Sequence, residues 1–418
     1  MSPTTTARPQ STATPQPASG NRARRPRVFM MDLWATVPYY TAYLSKALLA
    51  QGVNVQVGSI TYYLDPTCFS SRGLRLDPGM LDLVGRFPLP RTPRRILKLV
   101  EGLLNMLALT VRFLLAPPDI IHIQYLPMLR WRLPVDAWFL SLCRTRGSRL
   151  VLTVHDLLPH DTAQTYKQTF DDLYASVDAL ICHSDHVKHR LETEFNIPAE
   201  KISVIPHGPF FYDLPDDSSS KTLHDLDIPT EKVLVLWQGI IFPYKGLDLL
   251  LNAWQLVEAQ SDNAFLLIAG TGAPDLLEDL HRQVLRLDLK RVKLNLRFIS
   301  AEELVAAYRA ADIVVYPYRA ITTSGALATG LALGKTIVAS NLPVFRELLH
   351  DGENARLVDP LNPTDLAGAI TSLAGSPAAR QRLAAAISAM NFGDQSWLSI
   401  GRQTLATYQQ VLPQEQAR

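Results

Sequence analysis

The sequence predicts an α/β protein built as two doubly wound parallel sheets in succession, their strand ends facing a shared cleft. Three observations carry this. From residue 27 onward, short Val/Ile/Leu runs alternate with longer helical patterns, the mark of parallel strands covered on both faces. The acidic, Ser-rich stretch DLPDDSSSKTLHDLDIP at 213–229 lacks apolar periodicity and divides that series in two. At 418 residues the chain is too long for one ordinary core and comfortable for two.

The elements follow in order. RVFMMDL at 27–33 reads as a buried strand, TAYLSKALLAQG as a helix closed by Gly52, and NVQVGSI as the second strand. DIIHIQ (119–124), RLVLTVH (149–155), ALICHS (179–184) and ISVIP (202–206) repeat the theme. Beyond the junction, KVLVLWQG, AFLLIAG, VKLNLRF, DIVVYPY and KTIVAS are strands; DLLLNAWQLVEAQ, EELVAAYRAA and GALATGLAL are helices between them. The domains expected are 27–212 and 230–395, with a closing helix at about 396–413 packed back on the first. Ligands of such sheets lie at the carboxyl ends of the strands.

The segment 91–119, RTPRRILKLVEGLLNMLALTVRFLLAPPD, is a helix with Thr92 as N-cap and Pro93 at its first position. Lys98, Glu101, Asn105 and Arg112 interrupt its apolar run, which argues against a spanning helix. Two readings stand: a crossover helix on the first sheet, ended by Pro117-Pro118, or an interfacial helix with Arg91, Arg94, Arg95 and Lys98 among headgroups. Residues 1–26 read as a disordered basic tail without the apolar region of a secretory signal. Its arginines offer a second contact to anionic lipid.

Charge and cysteine narrow the function. Forty-one Lys and Arg against 39 Asp and Glu give a net +2, unlike a dedicated nucleic-acid binder. Cys68, Cys143 and Cys182 have no paired spacing, so neither a disulfide framework nor a zinc site is expected, and a cytoplasmic setting fits.

The second half holds the more informative chemistry. Gly239 ends a strand, and Lys245 follows just ahead of a helix. There a point charge and free backbone amides would add on a diphosphate, although YKG also occurs in plain surface loops. GTG at 270–272 lets backbone approach a ligand at Gly270 and Gly272, or forms a tight turn. Arg319 precedes Thr322, Thr323, Ser324 and Gly325, which open a helix; hydroxyls and amides there suit a phosphate, or a hydroxyl merely caps the helix. In the first half, His155 ends a strand, His160 lies in the loop beyond and His207 follows another strand. Such histidines bind sugar hydroxyls, move protons, or are simply satisfied within loops. Their spacing does not suggest metal ligands, so neither metal nor resident cofactor is expected.

TVHD, ALICHSDHVKHRL, VIPHG, QGIIFPYKGLDLLLNAW, IAGTG, AADIVVYPYR and GLALGKTIVASNLPVFREL, in this order, resemble the family 4 nucleotide-sugar glycosyltransferases. The resemblance covers nearly the whole chain after residue 27 and implies the GT-B fold and a retaining outcome. It places Lys245 on the donor diphosphate and Gly270 and Gly272 near the base. Thr322 to Gly325 fall at the distal phosphate, His155 at the donor sugar, and Gly208 on the glycine of an N-G motif whose Asn is here His207. Three departures stand out. The family's E-x7-E pair falls on Ile321 and Thr329; Ile240 replaces an arginine after Gly239, with Arg319 as the substitute cation; and Val37-Pro38-Tyr39-Tyr40 replaces a Gly-Gly loop. Some bacterial exopolysaccharide transferases are similar in carrying PHG, YKG and a TSG-type loop without those glutamates. The resemblance implies hexose transfer from a UDP- or GDP-sugar to a saccharide acceptor, lipid-linked, at the inner face of the plasma membrane. Tyr39, Tyr40 and His160 are the acceptor-side candidates. A non-catalytic partner subunit and a nucleotide-sugar epimerase are the alternatives, separable by donor turnover and by product analysis.

Overall fold

The computed structural model describes residues 25–84, 86–87, 90–126, 128–129, 134–158, 163–214, 228–390 and 396–413. The expected tail and most of the expected junction lie outside them. The first sheet holds β1 (Arg27–Asp32), β2 (Asn54–Ser59), β3 (Ile120–Ile123), β4 (Arg149–Thr153), β5 (Ala179–Cys182) and β6 (Ile202–Val204). Its order is β2-β1-β3-β4-β5-β6, parallel throughout. Parallel neighbours need crossovers, supplied here by α1 (Pro38–Ala50), α2 (Arg91–Leu115), α3 (Val135–Thr145), α4 (Ala163–Ser176) and α5 (Asp185–Glu194). Side chains alternate across the strands. Phe29 and Met31 therefore enter one core layer, while Val28 and Met30 enter the other.

The second sheet is also parallel, in the order β12-β11-β10-β7-β8-β9. Its strands are β7 (Val233–Gln238), β8 (Ala264–Ala269), β9 (Val292–Asn295), β10 (Ile313–Tyr316), β11 (Thr336–Ser340) and β12 (Arg356–Val358). Its helices are α6 (Leu247–Gln260), α7 (Pro274–Arg286), α8 (Ala301–Ala310), α9 (Gly325–Ala332), α10 (Pro343–Arg346), α11 (Pro363–Ala374) and α12 (Pro377–Ser388). The chain winds one way from β7 and then the other, so a crevice opens at the β7/β10 switch point. Side-chain caps fix several helix starts. Ser184 accepts from Val187 N, and Ser300 forms a reciprocal box with Glu303.

Two expectations need correction. Helix α2 starts at Arg91 with Pro90 as its N-cap residue, so Thr92 does not cap it. Pro93 stays in the first turn, where no intrahelical acceptor awaits its nitrogen. The short β12 has no counterpart among the expected strands.

The chain ends by returning to the first half. Helix α13 (Trp397–Val411) packs along α1, where a Cβ on Gly401 would stand 3.0 Å from Ala47 O. Tyr408 Oη lies 2.6 Å from His122 Nδ1, and Trp397 Nε1 donates to Pro209 O at 2.7 Å. Among the described residues no helix is long and apolar enough to cross a membrane.

Candidate active site

A cleft of about 370 Å³ lies between the carboxyl ends of the two sheets. On the β7 side, two glycines let the strand ends meet. Gly239 has φ +152° and Gly270 φ +157°, and a Cβ on Gly270 would come within 1.9 Å of Gly239 O. Only glycine tolerates such an approach. The switch-point loops interlock, because Arg319 N donates to Tyr244 O at 2.7 Å. Gly246, at φ +66°, sets its Cα against Pro317 O, where a Cβ would lie 1.9 Å away.

This packing holds Lys245 inside the cleft. Its Nζ would touch a Cβ on Gly239 at 2.7 Å. Among the described residues the ammonium has no hydrogen-bond or ion-pair partner, and stands about 6 Å from the Trp237 and Tyr318 rings. Burial pushes its pKa down to about 8, with the Asp156 carboxylate pulling the other way. An ammonium so placed is a ready site for an anion.

Arg319 is the clearest correction. It forks onto Asp248 at 2.8 and 2.6 Å and donates to Pro243 O at 2.9 Å. It does not line the cleft. Its charge is used in bracing the loop after β7 against α6, so it is a positioning residue rather than the substitute cation expected of it.

The loop before α9 divides its work. Thr323 and Gly325 line the cleft, whereas Thr322 is buried outside the lining and Ser324 caps α9 through Leu327 N at 3.1 Å. The first amides of α9 have no intrahelical acceptor, and the helix dipole adds a partial positive charge there. Ile321 and Thr329 both line the cleft as well. Thr329 Oγ1 donates to Gly325 O at 2.9 Å and accepts from Phe210 N at 3.2 Å. At this position the chain thus carries a small hydroxyl fastening the crossover between the halves.

Across the cleft, His155 Nε2 meets Gln124 Oε1 at 2.9 Å. Its ring joins Tyr40, His183 and His207 in one packed cluster, with centroids 4.7–5.6 Å apart. Burial keeps these imidazoles neutral: His155 is pushed far below its ordinary value, His183 to about 4 and His207 to about 3. Among the described residues, no group of three or more His, Cys, Asp or Glu is arranged to hold a metal ion.

Tyr40 is among the cleft-lining residues but only 2% exposed, with its ring packed on the histidines and Trp397, which leaves it little free face for an acceptor. Tyr39 keeps part of its surface at the cleft and donates to Asp65 at 2.9 Å. The β1–α1 turn just before both closes on the buried Asp32 carboxylate, which accepts from Thr36 N and Val37 N. Gly208 is also reassigned, since a Cβ there would strike the Trp397 ring at 2.4 Å. It is the seat of α13. Gly272 does not line the cleft and serves the turn instead, with Ile241 Cβ at 2.9 Å from its own would-be Cβ. His160 lies outside the described residues.

Sequence reasoning missed Asp156, Gln238, Thr271 and Arg297, all in the lining. Asp156 adjoins His155, and Arg297 sits just past β9, so strand-end position was the available signal. His183 also escaped notice, and its Nε2 is buried without a partner.

Two parallel sheets facing a cleft at their switch points are the GT-B architecture, and the comparisons supply the activity. The family model described as Glycosyltransferase Family 4 matches residues 37–208, and that described as Glycosyl transferases group 1 matches 232–376. The chain belongs to this family 4-like group and is a glycosyltransferase. Among curated relatives it is similar to D-inositol 3-phosphate glycosyltransferase of Arthrobacter sp., 26% identical over 90% of each chain. The Xylanimonas cellulosilytica protein of the same name is 24% identical over 72% of this chain and 74% of its own. Among solved structures, Anabaena HepE in complex with UDP and glucose has a TM-score of 0.71 at 19% identity, covering 92% of this chain and 99% of that one. A Rickettsia africae glycosyltransferase gives 0.71 at 17%, covering 93% and 99%.

Proposed function

We propose that the chain transfers a hexose from a UDP- or GDP-sugar to a lipid-linked saccharide acceptor, in polysaccharide or glycolipid synthesis at the cytoplasmic face of a membrane. The observation that carries it is Lys245, a buried ammonium with no hydrogen-bond or ion-pair partner among the described residues, in the cleft beside Gly239 and the start of α9. The likeness to Anabaena HepE, whose structures hold UDP and UDP-glucose, supports a nucleotide-sugar donor.

An acceptor hydroxyl oxygen forms the new bond to the anomeric carbon as the bond from that carbon to the diphosphate oxygen breaks. The electron pair leaves with the diphosphate, and the acceptor proton passes to a phosphate oxygen. Lys245 and the backbone amides at Thr323 and Gly325, at the start of α9, stabilise the departing charge; such stabilisation is usually the largest catalytic contribution. With Nε2–H donating to Gln124, His155 keeps Nδ1 as an acceptor that orients a sugar hydroxyl.

The test is a thermal-shift panel of UDP, GDP and their hexose conjugates, followed by transfer assays with and without EDTA. One diphosphate family should raise the melting temperature of the wild type and not of Lys245→Met. Transfer should persist in EDTA, since a lysine takes the cation's place. Equal shifts for both proteins would remove Lys245 from the donor site. Wild-type transfer by Lys245→Met would end the reading.

A further inference from the structure

The inner face of helix α2 carries Met106, Leu109 and Phe113 into the core and turns four polar side chains inward with them. Glu101 accepts from Leu83 N at 2.5 Å and Val84 N at 3.2 Å, and Asn105 pairs with both backbone groups of Leu81. Arg112 forks onto Asp77 at 2.8 and 2.6 Å, and Lys98 donates to Trp34 O at 2.8 Å. The outward stripe is apolar: Ile96, Val100, Leu103, Leu104, Leu107 and Leu115 are exposed, the last by 83%. The segment fastened beside it adds exposed Leu81, Leu83 and Phe87. Twenty-five residues give a plate about 37 Å long. Water does not favour an apolar surface of this extent without something to cover it.

We propose that this plate, α2 with Leu81, Leu83 and Phe87, docks on an anionic lipid bilayer. Charge selects that occupant. Residues 75–115 hold seven Arg or Lys against three Asp or Glu; with Lys98 and Arg112 turned toward the protein, five basic residues remain. All three acids are turned inward: Asp77 onto Arg112, Glu101 onto backbone amides, and Asp82 onto Thr61 and Arg86. What faces outward is apolar and cationic, with Arg95 exposed near the start of the helix. Such a face attracts acidic headgroups. A second copy of the chain would instead set two like-charged surfaces together.

Position fits the same purpose. Arg94 covers the Tyr63 ring at 4.0 Å, and Gly102 lies against Trp34, where a Cβ would be 2.6 Å from Nε1. Tyr62 beside Tyr63 lines the cleft. The first turns of α2 therefore border the cleft mouth, and a headgroup-linked saccharide at the bilayer would reach it. The purpose of the plate rests on the lipid-linked acceptor reading; its test does not.

Purified full-length chain is sedimented with vesicles of phosphatidylcholine alone or mixed with phosphatidylglycerol, with neither donor nor acceptor present. Binding should be strong on the mixed vesicles and weaken with salt. Leu104→Glu and Leu107→Glu, on the exposed stripe, should each lower it about tenfold or more while leaving the melting temperature unchanged. Arg95→Glu should weaken binding to the mixed vesicles and spare the weak binding to phosphatidylcholine. No vesicle binding by the wild type overturns the proposal, as does a dimer in solution that Leu104→Glu dissociates. Vesicle binding without any sugar transfer would leave this plate standing and end the proposed reaction instead.

Discussion

Lys245 sits where burial favours its neutral form, yet the diphosphate requires the charged one. Its folded pKa of about 8 lies below the ordinary 10.5. The unfolded chain therefore binds more protons between these values, and stability should rise with pH through that window. Below about 8 the buried ammonium is a cost. Lys245→Met should accordingly melt higher than the wild type at pH 7, by about 2–4 °C for each kcal/mol recovered, with the gap closing near pH 10. The same variant should lose transfer by about 10²–10³-fold. Nucleoside diphosphate affinity of the wild type should fall as pH climbs above about 8. Melting curves and nucleotide titrations across pH check all three, and a destabilised Lys245→Met would contradict the account of the burial.

At the scale of single elements, α9 joins the cleft to the crossover between the halves. Thr329, 2% exposed, bridges Gly325 O and Phe210 N. Thr329→Val keeps the shape and removes both bonds, which should cost about 1–3 kcal/mol, read as a lower urea midpoint with unchanged slope. Thr329→Glu should be worse, because it would bury a charge beside Phe210. The elements themselves were largely legible in the sequence. Central strands buried on both faces read as apolar runs, whereas β2 and β9 at the sheet edges mix polar residues into theirs; all of β1 to β11 fall within stretches read as strands, and the three-residue β12 does not. Lys245 and Gly239 could be read because strand ends fix their place. Arg319 was misjudged because its partner Asp248 lies 71 residues away. Tyr40 and Gly208 were misjudged for the same reason: Trp397, which packs on both, comes from the far end of the chain. Local pattern shows where a residue sits and not what its charge or ring is used for.

Across the whole molecule, the halves are joined covalently through the crossover and through the return to α13, and they also touch at the cleft rim. Gly208→Ala tests the return. Its methyl would meet the rigid Trp397 ring at 2.4 Å, so the substitution should cost about 1–3 kcal/mol and shift tryptophan emission as α13 is displaced. The rim contact is subtler. Glu347, just past α10, accepts from Asp185 N at 3.2 Å and His186 N at 2.8 Å, the first turn of α5 in the other half. Tyr62 meets Phe298 edge-on across the cleft with ring centroids 6.3 Å apart. Both contacts bridge the two halves, so any opening of the cleft would break them. A carboxylate at a helix N-terminus contributes about 0.3–1 kcal/mol, small against the stability of either half but enough to change how often the cleft is closed. Donor affinity scales with that closed fraction. Glu347→Ala should therefore raise the donor KM about two- to fivefold while kcat and the melting temperature stay nearly constant, and Glu347→Gln, which keeps an acceptor, should fall between. Small-angle scattering should show a larger radius of gyration for Glu347→Ala without donor and convergence with the wild type at saturating donor. An unchanged KM and radius would mean that the rim carboxylate plays no part in setting closure.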